Sequence, residues 1–252
     1  MRNILSIFLL FFAALSVFAQ NSTKEKFQAA NELYKKGQYE QAISVYENLL
    51  PANKESVQLY YNLGNAYYKS GQIARAILNY ERALLIKPNY ENAQMNLKMA
   101  QARTVDKIDS VGNFFMLSLI NSMSNMMSSN AWAVFSIICF LSAILLFFVY
   151  AFLKRIIFRK LGFYGAIAAL ILFVATFSFS YMQKNKITKG EYAIVMSPSL
   201  TAKSTPDETG TKLFVIHEGI KVKVKTTLNT WVEIQLADGN IGWVRTDDIE
   251  KI

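Results

Sequence analysis

The sequence predicts a multidomain membrane protein that combines an all-α helical-repeat array, a two-helix transmembrane hairpin and a C-terminal all-β barrel. Three observations predict this fold class: an internal helical repeat, two long apolar runs, and short alternating strands after residue 190. The hydrophobic fraction is 52%, and the apolar residues are clustered. Clustering of this kind indicates separate membrane and aqueous parts rather than one soluble core.

The N-terminal segment, residues 1–19, has the features of a secretory signal peptide. Arg2 precedes an apolar stretch, and Val17 and Ala19 place small residues three and one before the expected cleavage point. An uncleaved membrane anchor is the alternative, because the positive region is thin. Under either interpretation we expect the chain after Gln20 to be exported.

Residues 23–56 and 57–90 form the internal repeat, because the chain matches itself when position 57 is aligned with position 23. The matching positions are Gly37 with Gly71, Ala42 with Ala76, and Tyr46 with Tyr80. A period of about 34 residues, with small residues at fixed positions, is typical of helix–turn–helix arrays. In such arrays each unit buries its apolar face only against the next unit.

The second repeat follows the pattern of tetratricopeptide repeats, W-x2-L-G-x2-Y…A…P, with Tyr60 in place of Trp. Residues 91–103 resemble the first helix of a further repeat, or a capping helix. We therefore expect a tetratricopeptide array with its cap over residues 23–104. Such arrays form concave surfaces that bind other polypeptides and rarely catalyse reactions, so the sequence predicts no enzyme.

Polar residues on the inner helices of the repeats form the candidate binding face. Its members are Asn31, Lys35, Tyr61, Asn62, Asn65, Lys69 and Asn96. In each repeat an asparagine precedes a lysine by one helical turn, so the pair shares one helix face. The face is predicted to bond a peptide backbone or an anionic side chain; ordinary solvated positions are the alternative. Repeats that clamp a terminal carboxylate have basic residues where this chain has Phe27, Asn92 and Asn96, so no such clamp is expected.

Residues 105–130 are predicted to form a bridge between the repeats and the membrane. Ile108, Val111 and Met123 belong to a set of apolar residues that recur at helical spacing among Asn and Ser. This pattern predicts a helix that lies in the membrane surface. Packing of the bridge against the repeats is the alternative.

Two apolar segments, Ala131–Leu153 and Leu161–Met182, are predicted to cross the membrane. The first carries no charge and reaches about 34 Å as a helix, which is enough for a bilayer core. Between them, residues 154–160 contain four positive charges. A short basic loop stays in the cytoplasm, so both flanking regions are expected on the opposite side, in agreement with export.

The formal net charge of +9 is spread over the loop, the repeats and the C-terminal domain. We expect no nucleic-acid partner, because an exported protein seldom meets nucleic acid. Attraction to anionic headgroups of the lipid bilayer is the preferred interpretation. The single cysteine, Cys139, lies in the first span and excludes an intrachain disulfide.

Residues 190–252 are predicted to form a small all-β barrel. Five short runs alternate apolar and polar residues: 192–195, 213–216, 220–225, 231–236 and 241–244. Their order, with Glu218-Gly before the third run and Gly-Trp-Val in the fifth, is similar to bacterial SH3-like domains. By that resemblance Trp231 and Trp243 pack an SH3-like barrel, and Gly242 lets its strands approach closely.

The sequence contains no constellation that predicts catalysis, a metal or a cofactor. His217 is followed by Glu218 but opens no H-E-x-x-H zinc motif. The run Gly210-Thr-Lys lacks the spacing of a phosphate-binding loop. Asp247 and Asp248 are interpreted as a solvated turn.

The order of these segments resembles the BatE-like proteins of Bacteroides-type aerotolerance operons. The resemblance covers the whole chain: signal peptide, tetratricopeptide pair, bridge, two spans with a basic loop, and SH3-like domain. It implies an adaptor of the bacterial inner membrane, with repeats and SH3-like domain in the periplasm, that serves envelope-stress tolerance. The implied partners are membrane proteins with von Willebrand A domains and a MoxR-type AAA+ ATPase system.

Two hypotheses of function follow. The first is a non-enzymatic, membrane-anchored scaffold whose repeats bind protein partners. The alternative is an envelope sensor or anchor that binds peptidoglycan through the SH3-like domain, with the repeats supporting assembly.

Overall fold

The computed structural model describes residues 23–52, 56–108 and 115–252, so the predicted signal peptide over 1–19 lies outside the described residues. The helices are α1 (23–35), α2 (Tyr39–Leu49), α3 (Val57–Lys69), α4 (Ile73–Ile86), α5 (Glu91–Gln101), α6 (Phe115–Ser124), α7 (Ser129–Phe152) and α8 (Ile156–Lys189). The strands are β1 (Tyr192–Val195), β2 (Ser199–Lys203), β3 (Lys212–His217), β4 (Lys221–Leu228), β5 (Trp231–Gln235), β6 (Ile241–Arg245) and β7 (Ile249–Lys251). Two short 3₁₀ turns, Leu50–Ala52 and Thr246–Asp248, follow α2 and β6.

Helices α1 to α5 form two helix–turn–helix units and a capping helix, which confirms the predicted repeat array. Glycine ends the first helix of each unit, because Gly37 (φ 77°) and Gly71 (φ 85°) adopt the left-handed conformation. After each glycine the chain bonds back to the helix: Gln38 N–H donates to the Leu33 carbonyl at 3.0 Å. The equivalent bond in the second unit closes α3 in the same way.

The close crossing of α3 and α4 depends on the absence of a side chain at Gly64. A Cβ there would lie 2.7 Å from Cε1 of Tyr80 and 2.8 Å from its Cδ1. Tyr80 is 1% exposed, so its ring has no room to retreat. The buried ring of Tyr80 therefore requires glycine at position 64, and the space left by that glycine accommodates the ring.

Helices α7 and α8 form an antiparallel hairpin and are long and apolar enough to cross a membrane, with mean hydropathies of 2.7 and 2.0. Small residues line their contact: a Cβ on Gly162 would lie 2.6 Å from the Tyr150 nitrogen. At the other end, Ser129 and Ser180 exchange hydroxyl-to-carbonyl bonds of 3.1 and 3.0 Å.

Both helices extend past the predicted spans. Helix α7 begins before Ala131, because the Ser128 hydroxyl caps it by accepting from the Ala131 N–H at 3.4 Å. Helix α8 includes most of the predicted loop 154–160 and the predicted polar link over 183–189. Lys and Arg are good helix formers, α8 contains no proline, and Gly190, whose φ is 53°, ends the helix.

Helix α6 lies in the predicted bridge and is tied to the hairpin. The carbonyl of Ser124, its last residue, accepts from Trp132 Nε1 and from Gln183 Nε2, each at 2.9 Å. The repeats also touch this region, since Asn89 Nδ2 donates to the Met126 carbonyl at 3.0 Å. The bridge therefore contacts both the hairpin and the repeats, and its predicted position in a membrane surface stays a prediction.

The C-terminal strands form one antiparallel sheet in the order β3-β2-β6-β5-β4-β1-β7, which is not the closed barrel that the sequence predicted; the SH3-like resemblance stays a prediction. The two edge strands do not pair with each other. A single residue pair, Lys203 with Trp243, connects β2 to β6, and β7 is very short. Strands β2 and β7 were not predicted, because Pro198 and the two aspartates before Ile249 indicated turns.

The sheet buries one apolar face, which includes Val222, Val232 and Val244. Gly242 allows the close approach that the sequence predicted, since a Cβ there would lie 2.8 Å from the Ala202 Cβ. Trp231 is 8% exposed and lies beneath two cations, whereas Trp243 stays partly exposed and outside the core.

Replacing Gly64 with alanine should destabilise the repeats by about 1–3 kcal/mol, because the added Cβ overlaps the Tyr80 ring. Alanine is the better helix former by about 1 kcal/mol, so the clash must exceed that gain. Thermal unfolding of the detergent-solubilised chain, followed by helical circular dichroism, measures the change. Gln58→Ala on the exposed face of α3 is the control. A midpoint for Gly64→Ala at or above that of the unchanged chain would contradict this packing argument.

Candidate functional site

Helices α1, α3 and α5 lie side by side and line a groove with two adjoining cavities of about 580 and 250 Å³. The groove brings together all seven predicted binding residues. The larger cavity is lined by Asn31, Lys35, Asn62 and Asn65, and the smaller one by Tyr61, Asn65, Lys69 and Asn96. Equivalent residues meet because the helices repeat at a constant spacing.

In the first repeat, a hydrogen-bonded trio fixes the groove wall. Asn31 Oδ1 accepts from the Tyr46 hydroxyl at 2.6 Å and from Asn62 Nδ2 at 2.9 Å. These residues come from α1, α2 and α3, so one amide oxygen connects three helices. Both lone pairs of that oxygen are used.

The second repeat contains the same trio at the equivalent positions. Asn65 Oδ1 accepts from the Tyr80 hydroxyl at 2.8 Å and from Asn96 Nδ2 at 2.7 Å. Asn96 also donates weakly to the Tyr61 hydroxyl at 3.3 Å. Asn31 and Asn65, both of which the sequence predicts to bind a ligand, thus also connect neighbouring helices of the array.

The amide nitrogens of Asn31 and Asn65 remain as donors in the groove. No residue in the described part of the chain accepts a hydrogen bond from either nitrogen. Because the oxygens are held by two bonds each, the amide planes are fixed and the N–H groups point in a set direction. The groove therefore presents two pre-oriented donors one repeat apart.

Charge in the groove is modest. Lys35 pairs with Glu32 at 2.7 Å, but both side chains are exposed (69% and 59%), so this pair contributes little to stability. Within the described ranges, no carboxylate lies at ion-pair distance from Lys69. Lys69 is thus available to an anionic ligand group.

The sequence interpretation missed two aromatic residues of the groove, Tyr34 and Tyr68. Tyr34 lines both cavities, and Tyr68 lines the smaller one beneath the guanidinium of Arg103, 5.2 Å from the ring centre. The two tyrosines occupy equivalent positions in the two repeats, so the repeat period itself could have identified them. They supply flat apolar surface between the polar groups.

Burial keeps several tyrosines protonated. Burial raises the pKa of Tyr46 to about 12, and it also raises the pKa of Tyr80. The pKa of Tyr67 rises to about 12, first through burial and then through the bond that its hydroxyl donates to Glu47. All three hydroxyls therefore act as donors at neutral pH.

The described residues contain no group of three or more His, Cys, Asp and Glu side chains placed to hold a metal ion. His217 instead contacts Asp106 on the segment after α5: its backbone N–H donates to Oδ2 at 2.7 Å, and Nδ1 lies 3.1 Å from Oδ1. The histidine thus belongs to the junction between sheet and repeats.

Two sequence families match the helical array: "TPR repeat" over residues 30–71 and "Tetratricopeptide repeat" over residues 57–90. The chain therefore contains tetratricopeptide repeats, which are modules for protein–protein interaction. A crystal structure of the Sgt2 TPR domain from Aspergillus fumigatus aligns with 67% of this chain and 82% of that chain, at 13% identity and a TM-score of 0.31. Comparison with curated proteins gives no match.

The unfolding free energy of the repeats should fall at high pH, because unfolded tyrosines ionise near pH 10 whereas buried ones stay protonated. The stabilisation is complete below pH 10 and is lost as the pH rises from 10 towards 12. Each such tyrosine contributes a slope of about 1.4 kcal/mol per pH unit in this range. Urea unfolding of the detergent-solubilised chain at several pH values measures it.

Tyr46→Phe should reduce that slope, whereas Leu49→Ala, a destabilising control without a titrating group, should lower stability equally at every pH. Equal slopes in Tyr46→Phe and the unchanged chain would show that Tyr46 ionises alike in both states.

Proposed function

We propose that this protein is a non-enzymatic, membrane-anchored scaffold whose tetratricopeptide groove binds an extended segment of a protein partner. The observation that carries the proposal is the pair of fixed amide donors on Asn31 and Asn65. Backbone carbonyls of an extended peptide are acceptors for such donors, and fixed donors bind with little loss of side-chain entropy. The flanking tyrosines would cover apolar side chains of the peptide.

Lys69 favours a peptide with an acidic side chain near the second repeat. Its ammonium group has no carboxylate partner in the described ranges, and it lines the smaller cavity together with Asn96. Lys35 is already paired with Glu32. The first repeat would therefore recognise the shape and the backbone of the peptide more than its charge. The proposed ligand is therefore an extended, mildly acidic segment.

The sheet supports the proposal because it packs against α4 and leaves the groove accessible. Lys221 Nζ lies 2.7 Å from Glu81 Oε2, and Arg82 Nη2 lies 3.0 Å from Glu250 Oε1. Neighbouring Tyr80 instead faces the groove through its bond to Asn65. Consecutive residues of α4 thus contact the sheet and the groove on different faces.

The hairpin of α7 and α8 would hold the repeats and the sheet at the periplasmic face of the bacterial inner membrane. The basic residues around the start of α8 favour the cytoplasm for the hairpin turn. By the resemblance to BatE-like proteins, the proposed partners are membrane proteins with von Willebrand A domains that work with a MoxR-type AAA+ ATPase. Peptidoglycan binding by residues 190–252 remains the alternative from the sequence, and no contact in the sheet favours it.

Asn65→Asp should weaken partner binding at least about tenfold while leaving the fold intact. Aspartate keeps the oxygen that accepts from Tyr80 and Asn96 and replaces only the free N–H by an oxygen that repels peptide carbonyls. A photo-crosslinking residue at Tyr61 in native membranes, with mass spectrometry of the adduct, measures capture.

Asn92→Asp, an exposed position on α5 with the same change of charge, is the matched control and should capture as well as the unchanged chain. Equal capture by Asn65→Asp and Asn92→Asp would remove the groove as the binding site. The adduct that disappears in Asn65→Asp could contain a protein without a von Willebrand A domain. That result would retain the groove as the binding site and reject the proposed partner.

Alkaline phosphatase fused after Ile252 should be active and green fluorescent protein at the same point should be dark, because the sheet is proposed to be periplasmic. The same reporters inserted after Lys154, in the proposed cytoplasmic turn, should give the reverse result. Fluorescence from the terminal fusion would contradict the proposed orientation.

A further inference from the structure

A third cavity, of about 430 Å³, lies where the repeats, the sheet and the hairpin meet. The end of α4 contributes Leu84 and Leu85, and Ile252 adds a third apolar wall residue. Gln183 and Lys186 of α8 and Asn125 after α6 supply a polar side. The cavity is separate from the groove and shares no lining residue with it.

The cavity lies at the level where α8 leaves the apolar segment. Gln183 is the first polar residue after the run that ends at Met182, and it is bonded to the same Ser124 carbonyl as the indole of Trp132. Tryptophan in a membrane helix favours the headgroup level. Lys186 lies less than one helical turn further, about 4.5 Å along the axis, and is therefore among the headgroups.

Lys186 is the uncompensated charge of this cavity. Its Nζ donates to Asn125 Oδ1 at 3.3 Å, and in the described chain no carboxylate lies at ion-pair distance from it. An ammonium group has three donors, so at least two remain for a ligand. Asn125 is itself fixed, because its Oδ1 also accepts from Gln183 Nε2 at 2.9 Å.

The two carboxylates of the cavity are already paired with cations. Glu81 lies 2.7 Å from Lys221. Glu191 lies 3.9 Å from both Lys189 and Lys223, so two positive charges face one negative charge. The lining thus holds two lysines and two glutamates, and Lys189 and Lys223 beside Glu191 add two positive charges around it, so the unpaired Lys186 suits an anion.

We propose that this cavity binds the phosphate of an anionic phospholipid headgroup, with Lys186 as its main charged contact. The wall of Leu84, Leu85 and Ile252 would cover the glycerol part of the lipid, and the apolar surface of the adjacent hairpin would accompany its acyl chains. A free phosphate ion shares the headgroup's charge but gains nothing from these apolar walls. The site would couple the position of the repeats to the composition of the membrane.

Titration of the full chain in neutral detergent with phosphatidylglycerol, with native mass spectrometry of the retained lipid, tests the proposal. Lys186→Gln should lower lipid affinity about tenfold, as expected for loss of a charged hydrogen bond. Lys184→Gln makes the same change of charge at a nearby exposed site on α8 and should bind as the unchanged chain does.

Asn125→Asp is a second variant that keeps the oxygen bonded to Gln183 and neutralises Lys186 in place, so it should also lower affinity without disturbing the fold. Equal lipid retention by Lys186→Gln and the unchanged chain, or equal losses in Lys186→Gln and Lys184→Gln, would overturn the proposal.

Phosphatidylcholine and inorganic phosphate are the comparison ligands. Retention of phosphatidylcholine at the same affinity, or displacement of the lipid by millimolar phosphate, would also overturn it.

Discussion

The packing of α4 is the constraint on which the rest of the structure depends. One helix contacts the repeat groove through Tyr80, the sheet through Glu81 and Arg82, and the cavity beside the α7–α8 hairpin through Leu84. Its apolar contacts are continuous with the sheet, since Ile194 of β1 is fully buried in the same core as the repeat residues. The repeats and the sheet therefore share a core, and separating them would expose apolar surface that neither could cover alone.

Much of the helical part could be predicted from the sequence, because its information is local and periodic. Glycine at the repeat spacing marks the turns, and side-by-side helices bring equivalent positions such as Asn31 and Asn65 into one groove. The roles of those asparagines could not be predicted in full. Their oxygens are used by tyrosines from the following helix, a contact that depends on the depth of packing and not on spacing alone.

The sheet was harder to predict because its pairing is long-range. Alternation indicated five of the seven strands, but closure depends on whether the two edge strands meet, and no pattern within a strand encodes that. The junction depends on pairs such as Asp106 with His217, which are far apart in the sequence. Similarly, the basic loop after α7 was interpreted from its charge, whereas the backbone follows helix propensity and continues α8 through most of it.

Helix α8 runs without interruption from the basic turn to Lys189, and only Gly190 and Glu191 separate it from the sheet. At about 1.5 Å per residue its length is about 51 Å, and a continuous α-helix bends only gently over that distance. Under the proposed membrane anchoring it would act as a stiff lever with the bilayer as its pivot. A partner that pulls sideways on the repeats would swing the opposite end through a similar angle, so mechanical load on one side of the membrane would register on the other without any change in secondary structure.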